Sequence, residues 1–215
     1  MRRTVLFLVF VAGTVLMTCG VAGAATCQIN GGAAYTNDPV VSVHYVPGVD
    51  DLLFRISNYS SFASSSVWQP IQSPGYADWA LVDFAASGKK TVYMQFASDS
   101  TSDPTSDPTA CQDSIILDRN APRSITARVR VRRGHVCYLP MLMRDATSPK
   151  CKAKLWITRR GVTKKTFAST YRATNHWWRW RYRCKLPRGT YHINVRCRDL
   201  AGNVSARRWA RLIVR

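Results

Sequence analysis

The sequence predicts an all-β protein built as two antiparallel β-sandwiches in tandem behind an export signal. Three observations carry this expectation. Short runs of alternating apolar and polar residues recur at close intervals between clusters of Gly, Pro, Asn and Ser, the pattern of a sandwich. The chain contains no Glu, and good helix formers are scarce. Charge also changes abruptly midway. Residues 25–120 carry four basic residues against ten Asp, a net of −6, whereas residues 121–215 carry 25 Lys and Arg against Asp145 and Asp199, a net of +23. The step falls at "DRNAPRS", a short Pro-stiffened linker, so the expected division is 1–24, 25–120 and 121–215.

Residues 1–24 read as a signal peptide. Arg2 and Arg3 precede an apolar run from Val5 to Met17, and small residues end at Ala24, where cleavage is expected. An uncleaved anchor and a lipoprotein site at Cys19 are the competing readings; the run is short for a span, and "LMTC" matches lipidation poorly. The expected location is secreted or at the cell surface, with no transmembrane segment in the mature chain.

In residues 25–120 the strand-like runs are "VVSVHYV", "LLFRISN", "WALVDF", "KTVYMQFAS" and "DSIILD". The segments "INGGAAYTNDPVVSV", "FRISNYSSF", "TVYMQF" and "DSIILDRNAP" resemble the immunoglobulin-like repeats of bacterial secreted and cell-surface proteins over most of residues 26–122. The resemblance implies an immunoglobulin-like sandwich whose first and last strands share an edge, which would put Cys27 beside Cys111 and lets them pair. Where such repeats carry a short Gly-Asn turn, this chain has "SDSTSDPTSDPTACQ". Asp99, Asp103 and Asp107 there lack the every-second-residue spacing of an EF-hand, so a solvated loop is favoured over an ion site.

In residues 121–215 seven strands can be written: "ITARVRV" (A), "HVCYLPMLMRD" (B), "CKAKLWITR" (C), "KKTFAST" (D), "WWRWRYRC" (E), "TYHINVRCRD" (F) and "RRWARLIVR" (G). The stretch "LPRGTYHINVRCRDLAGN" resembles the end of bacterial fibronectin-like or immunoglobulin-like modules and speaks to fold, not activity. Alternation points Val129, Val131, Leu139, Met141, Met143, Ala153, Leu155, Ile157, Trp178, Trp180, Tyr182, Ile193, Val195, Ala210, Leu212 and Val214 inward.

Without Cys19, six cysteines remain. The last four are spaced by 14, 33 and 13 residues, without the close pairs that zinc chelation usually needs, so disulfides are favoured. In a seven-stranded sandwich E runs beside B and F beside C. Cys137 would then meet Cys184 and Cys151 meet Cys197, with a bridge from Cys137 to Cys197 disfavoured because these sit at opposite ends.

The outward registers are cationic. Arg128, Arg130 and Arg132 on A are expected beside Arg179, Arg181 and Arg183 on E, with Tyr138 and Arg144 on B. The opposite sheet offers Lys150, Lys152, Lys154, Trp156, His192, Arg196, Arg198, Trp209, Arg211 and Arg215, with Trp156 and Trp209 exposed on adjoining strands. Unpaired cations at this density favour an anionic cell-surface polymer or glycan as partner, either a wall polymer, an acidic glycan or nucleic acid. A structural spacer, and self-association of acidic with basic halves, are the other readings.

Catalysis is disfavoured. His44, His135, His176 and His192 are scattered, and no nucleophile elbow, phosphate loop or close acidic pair is present. No cofactor and no metal site is expected. Asp145 and Asp199 each end a strand at one rim, where capping of their own turns is favoured over a shared cation.

Overall fold

The computed structural model describes residues 24–62, 67–98 and 109–215. The leader up to residue 23, Cys19 included, and the loop bearing Asp99, Asp103 and Asp107 lie outside the described residues. Among the described residues no helix is long and apolar enough to cross a membrane.

The first sandwich contains β1 (Thr26–Ile29), β2 (Tyr35–Thr36), β3 (Val40–Val46), β4 (Leu53–Ser57), β5 (Gln69–Pro70), β6 (Tyr76–Ala80), β7 (Gly88–Ala97) and β8 (Thr109–Leu117). Its sheets have the orders β1-β3-β6 and β2-β8-β7-β4-β5. Alternation explains the core. Val41, Val43 and Tyr45 of β3, Phe54 and Ile56 of β4, and Val92, Met94 and Phe96 of β7 are buried between the sheets. Cys27 of β1 and Cys111 of β8 form a disulfide across the two sheets, with Cα atoms 5.9 Å apart. The run "WALVDF" is a strand only at its start. β6 ends at Ala80; the buried Leu81 donates its N–H to the Pro39 carbonyl at 2.8 Å, and Asp83 then turns the chain with φ 48°.

The second sandwich comprises β9 (Arg123–Thr126), β10 (Val129–Val131), β11 (Val136–Arg144), β12 (Lys150–Arg159), β13 (Val162–Thr166), β14 (Thr170–Ala173), β15 (His176–Arg183), β16 (Gly189–Arg198) and β17 (Arg208–Val214). The sheets are β15-β11-β9 and β10-β17-β16-β12-β13, with β14 also paired to β12. Leu139, Met141, Met143, Ala153, Leu155, Ile157, Ile193, Val195 and Leu212 are buried to 1% exposure or less, so the inward register read from alternation holds.

Two features depart from the expected strand layout. The single strand A is divided: β9 pairs antiparallel with β11, whereas β10 crosses to the other sheet and pairs parallel with β17. The switch closes an edge of each sheet and leaves fewer unpaired backbone groups exposed. Strand D also divides into β13 and β14, and both lie against β12. The hairpin turn Arg160-Gly161 has φ 50° and 80°, positive at both positions as a two-residue type I′ turn requires, and it folds β13 straight back on β12.

Among the described residues no strand pairing crosses from one sandwich to the other. They meet at the linker. Asn203 Nδ2 donates to the Asp118 carbonyl at 2.6 Å, Ser148 Oγ donates to Asp118 Oδ2 at 3.3 Å, and Asn37 Nδ2 donates to Asn203 Oδ1 at 3.2 Å.

Candidate anion-binding face

Side chains alternate across a strand, so a residue left out of the core of one sheet stands on its outer face. On β12, β16 and β17 those outer residues align in rows set by the strand register. Lys152 pairs with Arg198 and Lys154 with Arg196; Trp156 pairs with Asn194, which pairs with Trp209; Thr158 pairs with His192, which pairs with Arg211. Lys152, Lys154, Arg196, Arg198, Trp209 and Arg211 are exposed and Trp156 is half-buried.

The tryptophans are not on adjoining strands as expected, because β16 lies between them. Strands about 4.8 Å apart set the backbones of the two tryptophans roughly 10 Å apart, with Asn194 on the strand between them. Asn194 is the residue that sequence reasoning missed. It occupies an outward register yet is 3% exposed, and its Nδ2 donates to Thr158 Oγ1 at 3.1 Å and to the His192 and Trp156 carbonyls at 3.2 and 3.4 Å. Its signal was an uncharged amide interrupting the cations of "HINVRCR".

Neighbouring groups fix the rest of the face. The His192 and Trp209 rings lie 4.4 Å apart at 31°, and Lys154 Nζ is 5.7 Å from the Trp156 ring centre. Arg196 Nε donates to the Ser205 carbonyl at 3.2 Å and Arg198 Nε to the Gly202 carbonyl at 3.0 Å. Anchoring through Nε holds each guanidinium in one plane while its outer edge faces solvent. That geometry suits bidentate contact with phosphate or carboxylate.

The other predicted cations are spread more widely. Arg179, Arg181 and Arg183 are exposed on β15, with Arg181 opposite Tyr138 and Arg179 opposite Pro140. Arg128, Arg130 and Arg132 are exposed but do not lie beside them. The sheet switch carries Arg130 to β17, opposite Ile213, and Arg132 to a groove at one pole with Arg133, His135, Arg188 and Arg215.

Trp178, Trp180 and Tyr182 face inward as alternation requires, but they are half-buried, because they close the open side between β15 and the β13/β14 edge. Phe167 packs edge-on to Tyr182 at 5.3 Å, Arg172 lies over Trp178 at 4.9 Å, and Trp178 Nε1 donates to the Ala173 carbonyl at 2.9 Å. Burial pushes the Tyr182 phenol above its ordinary range.

The cysteines of this sandwich are buried free thiols here, not the expected disulfides. Their neighbours are the expected ones. Cys137 and Cys184 interact, and the Cys137 thiol is pushed up to about 11 by burial first and by Cys184 second. Cys151 and Cys197 share a hydrogen bond that, with burial, raises the Cys151 thiol, so Cys197 is the one to lose its proton first.

At the rim, Asp145 Oδ1 accepts from the backbone of Thr147 at 2.9 Å and Ser148 at 2.7 Å, and Asp199 Oδ1 accepts from Asn203 N at 2.8 Å. Both aspartates cap their own turns. The structure adds a third carboxylate that sequence reasoning did not place there, Asp118.

No protein-family model matches the sequence, and no curated relative matches it. Solved structures similar in fold are fibronectin-like and immunoglobulin-like. The fibronectin(III)-like modules of Clostridium thermocellum CbhA are 12% identical, covering 88% of this chain and 94% of theirs, with a TM-score of 0.46. The human OSCAR ligand-binding domain is 14% identical over 88% of this chain and 97% of its own, with a TM-score of 0.39. A tetra-tandem repeat from the extending region of a large adhesion protein is 15% identical over 90% of this chain and 49% of its own, with a TM-score of 0.35. At scores this low, the fold assignment stands on the strand pairing and the two cores described above.

Proposed function

We propose that this chain is a secreted, non-catalytic, two-module protein whose basic sandwich binds an anionic polymer at a cell surface, through the outer face of β12, β16 and β17. The observation that carries the reading is the register row Trp156, Asn194, Trp209, flanked by Lys154 and Arg196 on one side and by Arg211 beside His192 on the other. Aromatic faces stack on sugar or base rings, and flanking guanidinium and ammonium groups take the phosphates or carboxylates. Residues 121–215 offer only Asp145 and Asp199 as counter-charges, and both are engaged at the rim. Screening over about 8 Å at physiological salt relieves part of the self-repulsion, and a polyanion relieves more. Wall polymer, acidic glycan and nucleic acid share this chemistry. The Cys27–Cys111 bond and the charged leader support an oxidising destination outside the cytoplasm.

Retention on heparin or phosphocellulose tests the reading. A counterion-driven interface should hold the protein beyond about 0.5 M salt and weaken linearly in log affinity against log salt. Elution at low salt overturns it. An array of glycans and oligonucleotides then separates the polymer classes.

One further observation favours self-association as a second reading: the −6 charge of residues 25–120 against the +23 of residues 121–215. Head-to-tail docking of unlike halves builds open chains rather than closed dimers. Light scattering across a salt series decides, since association abolished at high salt supports docking and a monomer throughout removes it.

A further inference from the structure

We propose that Asp118, Asp145 and Asp199 together form a calcium-type divalent-cation site at the junction of the two sandwiches. Three separate segments deliver them: Asp118 follows β8, Asp145 follows β11 and Asp199 follows β16. One carboxylate oxygen from each lies within 4.8 Å of the others. Calcium–oxygen bonds of about 2.3–2.6 Å place oxygens on opposite sides of one ion up to about 5 Å apart, so the three can share a single ion as they stand.

The cluster is not explained by the contacts it already makes. Asp118 is 0% exposed and Asp199 3% exposed. Among the described residues every hydrogen-bond donor to the three carboxylates is neutral: the Asn120, Thr147, Ser148 and Asn203 backbones, the Ser148 hydroxyl and the Asn203 amide. Asp145 commits Oδ1 to its turn, while Oδ2 is shut off from solvent and accepts no hydrogen bond from the described residues. A buried carboxylate oxygen without a donor is costly, and more so beside two other carboxylates. Arg123 and Arg144 line a groove with Asp145, yet neither reaches that oxygen.

The placement also uses up the only carboxylates of residues 121–215. On the outer faces they would have offset surface arginines. Instead both turn to the linker and meet an aspartate from the first sandwich. A hard cation held by oxygen ligands from three segments would tie the exit of β8 to the ends of β11 and β16 and fix the angle between the sandwiches.

A proton shared within the cluster is the rival account, since burial, followed by Asp145 and Asp199, pushes the Asp118 carboxyl above its ordinary range. The experiment separates the two. Calorimetric titration and thermal melting of the whole mature chain are run in EDTA, in about 5 mM calcium and in about 5 mM magnesium, alongside Asp118→Asn and Asp145→Asn. The expected result is one calcium per chain, a melting temperature raised by several degrees in calcium and less in magnesium, and loss of both responses in each variant. Asp118→Asn should melt above the wild type in EDTA, where it removes repulsion, and below it in calcium. No calcium heat and no shift in the wild type overturns the proposal, and so does a calcium response that both variants retain. Asp118→Asn melting above the wild type in calcium and EDTA alike overturns it too, in favour of the shared proton.

Discussion

In the first sandwich β1 pairs with β3 and β2 runs parallel to β8; in the second β9 pairs with β11 and β10 runs parallel to β17. Both therefore divide their first strand between sheets, and both arrange the remaining strands in the same order around a core of Val, Ile, Leu, Met and aromatic residues. Yet residues 25–120 are net −6 and residues 121–215 net +23. One architecture thus tolerates opposite surface charge, because the inward half of each strand specifies the sandwich and the outward half is free to vary. The outward half of the second sandwich is where a partner would be read.

Crosslinks distinguish the halves most sharply. Cys27–Cys111 ties one sheet to the other. The later thiols sit in pairs within one sheet each: Cys137 on β11 and Cys184 just past β15, Cys151 on β12 and Cys197 on β16. The largest expected effect is Cys27→Ser, which opens a loop of 84 residues and should cost about 4 kcal/mol in the first sandwich, read by denaturant melts with the second sandwich's transition unmoved. Peptide maps of oxidised protein should join Cys137 to Cys184 and Cys151 to Cys197; a peptide joining Cys137 to Cys197 breaks the strand order itself. In reduced protein Cys137, with its thiol near 11, is only about one part in a thousand thiolate at pH 8. Alkylation at Cys137 of the folded chain, followed by peptide mapping, should therefore be slow at pH 8 and rise about tenfold per pH unit toward pH 11, whereas Cys197, whose thiol is held lower, should not follow that profile. A rate that is flat over that range denies the burial.

A smaller effect tests the two faces of one strand. Trp180 is half-buried against Phe167 while Arg181 is exposed, so Trp180→Ala should destabilise by about 2–3 kcal/mol and Arg181→Ser by less than about 0.5 kcal/mol. Equal losses would mean that alternation does not govern β15.

The same alternation made most of the core legible in the sequence, since Leu139, Leu155 and Ile193 obey a two-residue period that needs no knowledge of neighbours. It could not reveal what depends on pairing. "ITARVRV" reads as one strand because nothing in its own residues marks the crossing between sheets at residues 127–128. Trp156 and Trp209 were legible as outward aromatics, but the amide of Asn194 between them follows only from the register of three strands. Asp118 joins Asp145 and Asp199 across the linker, at sequence separations that local reading does not span.

The finest comparison lies within the basic sandwich, between two exposed tryptophans. Trp209 is 53% exposed, stacks on His192 and shares a register row with Trp156; Trp177 is 49% exposed on the other sheet, opposite Leu142. If rings of a polymer stack on the cationic face, Trp209→Ala should weaken binding by about 1–3 kcal/mol per stacked ring at fixed salt without changing the salt slope, because it removes no charge. Trp177→Ala should leave affinity unchanged. Changing Arg196 and Arg198 together to Ser should do the reverse of Trp209→Ala, lowering the slope by about 0.9 for each phosphate of a duplex probe that is no longer neutralised. Should Arg179, Arg181 and Arg183 changed to Ser lower that slope instead, the binding face belongs to β15, and the tryptophan row has another purpose.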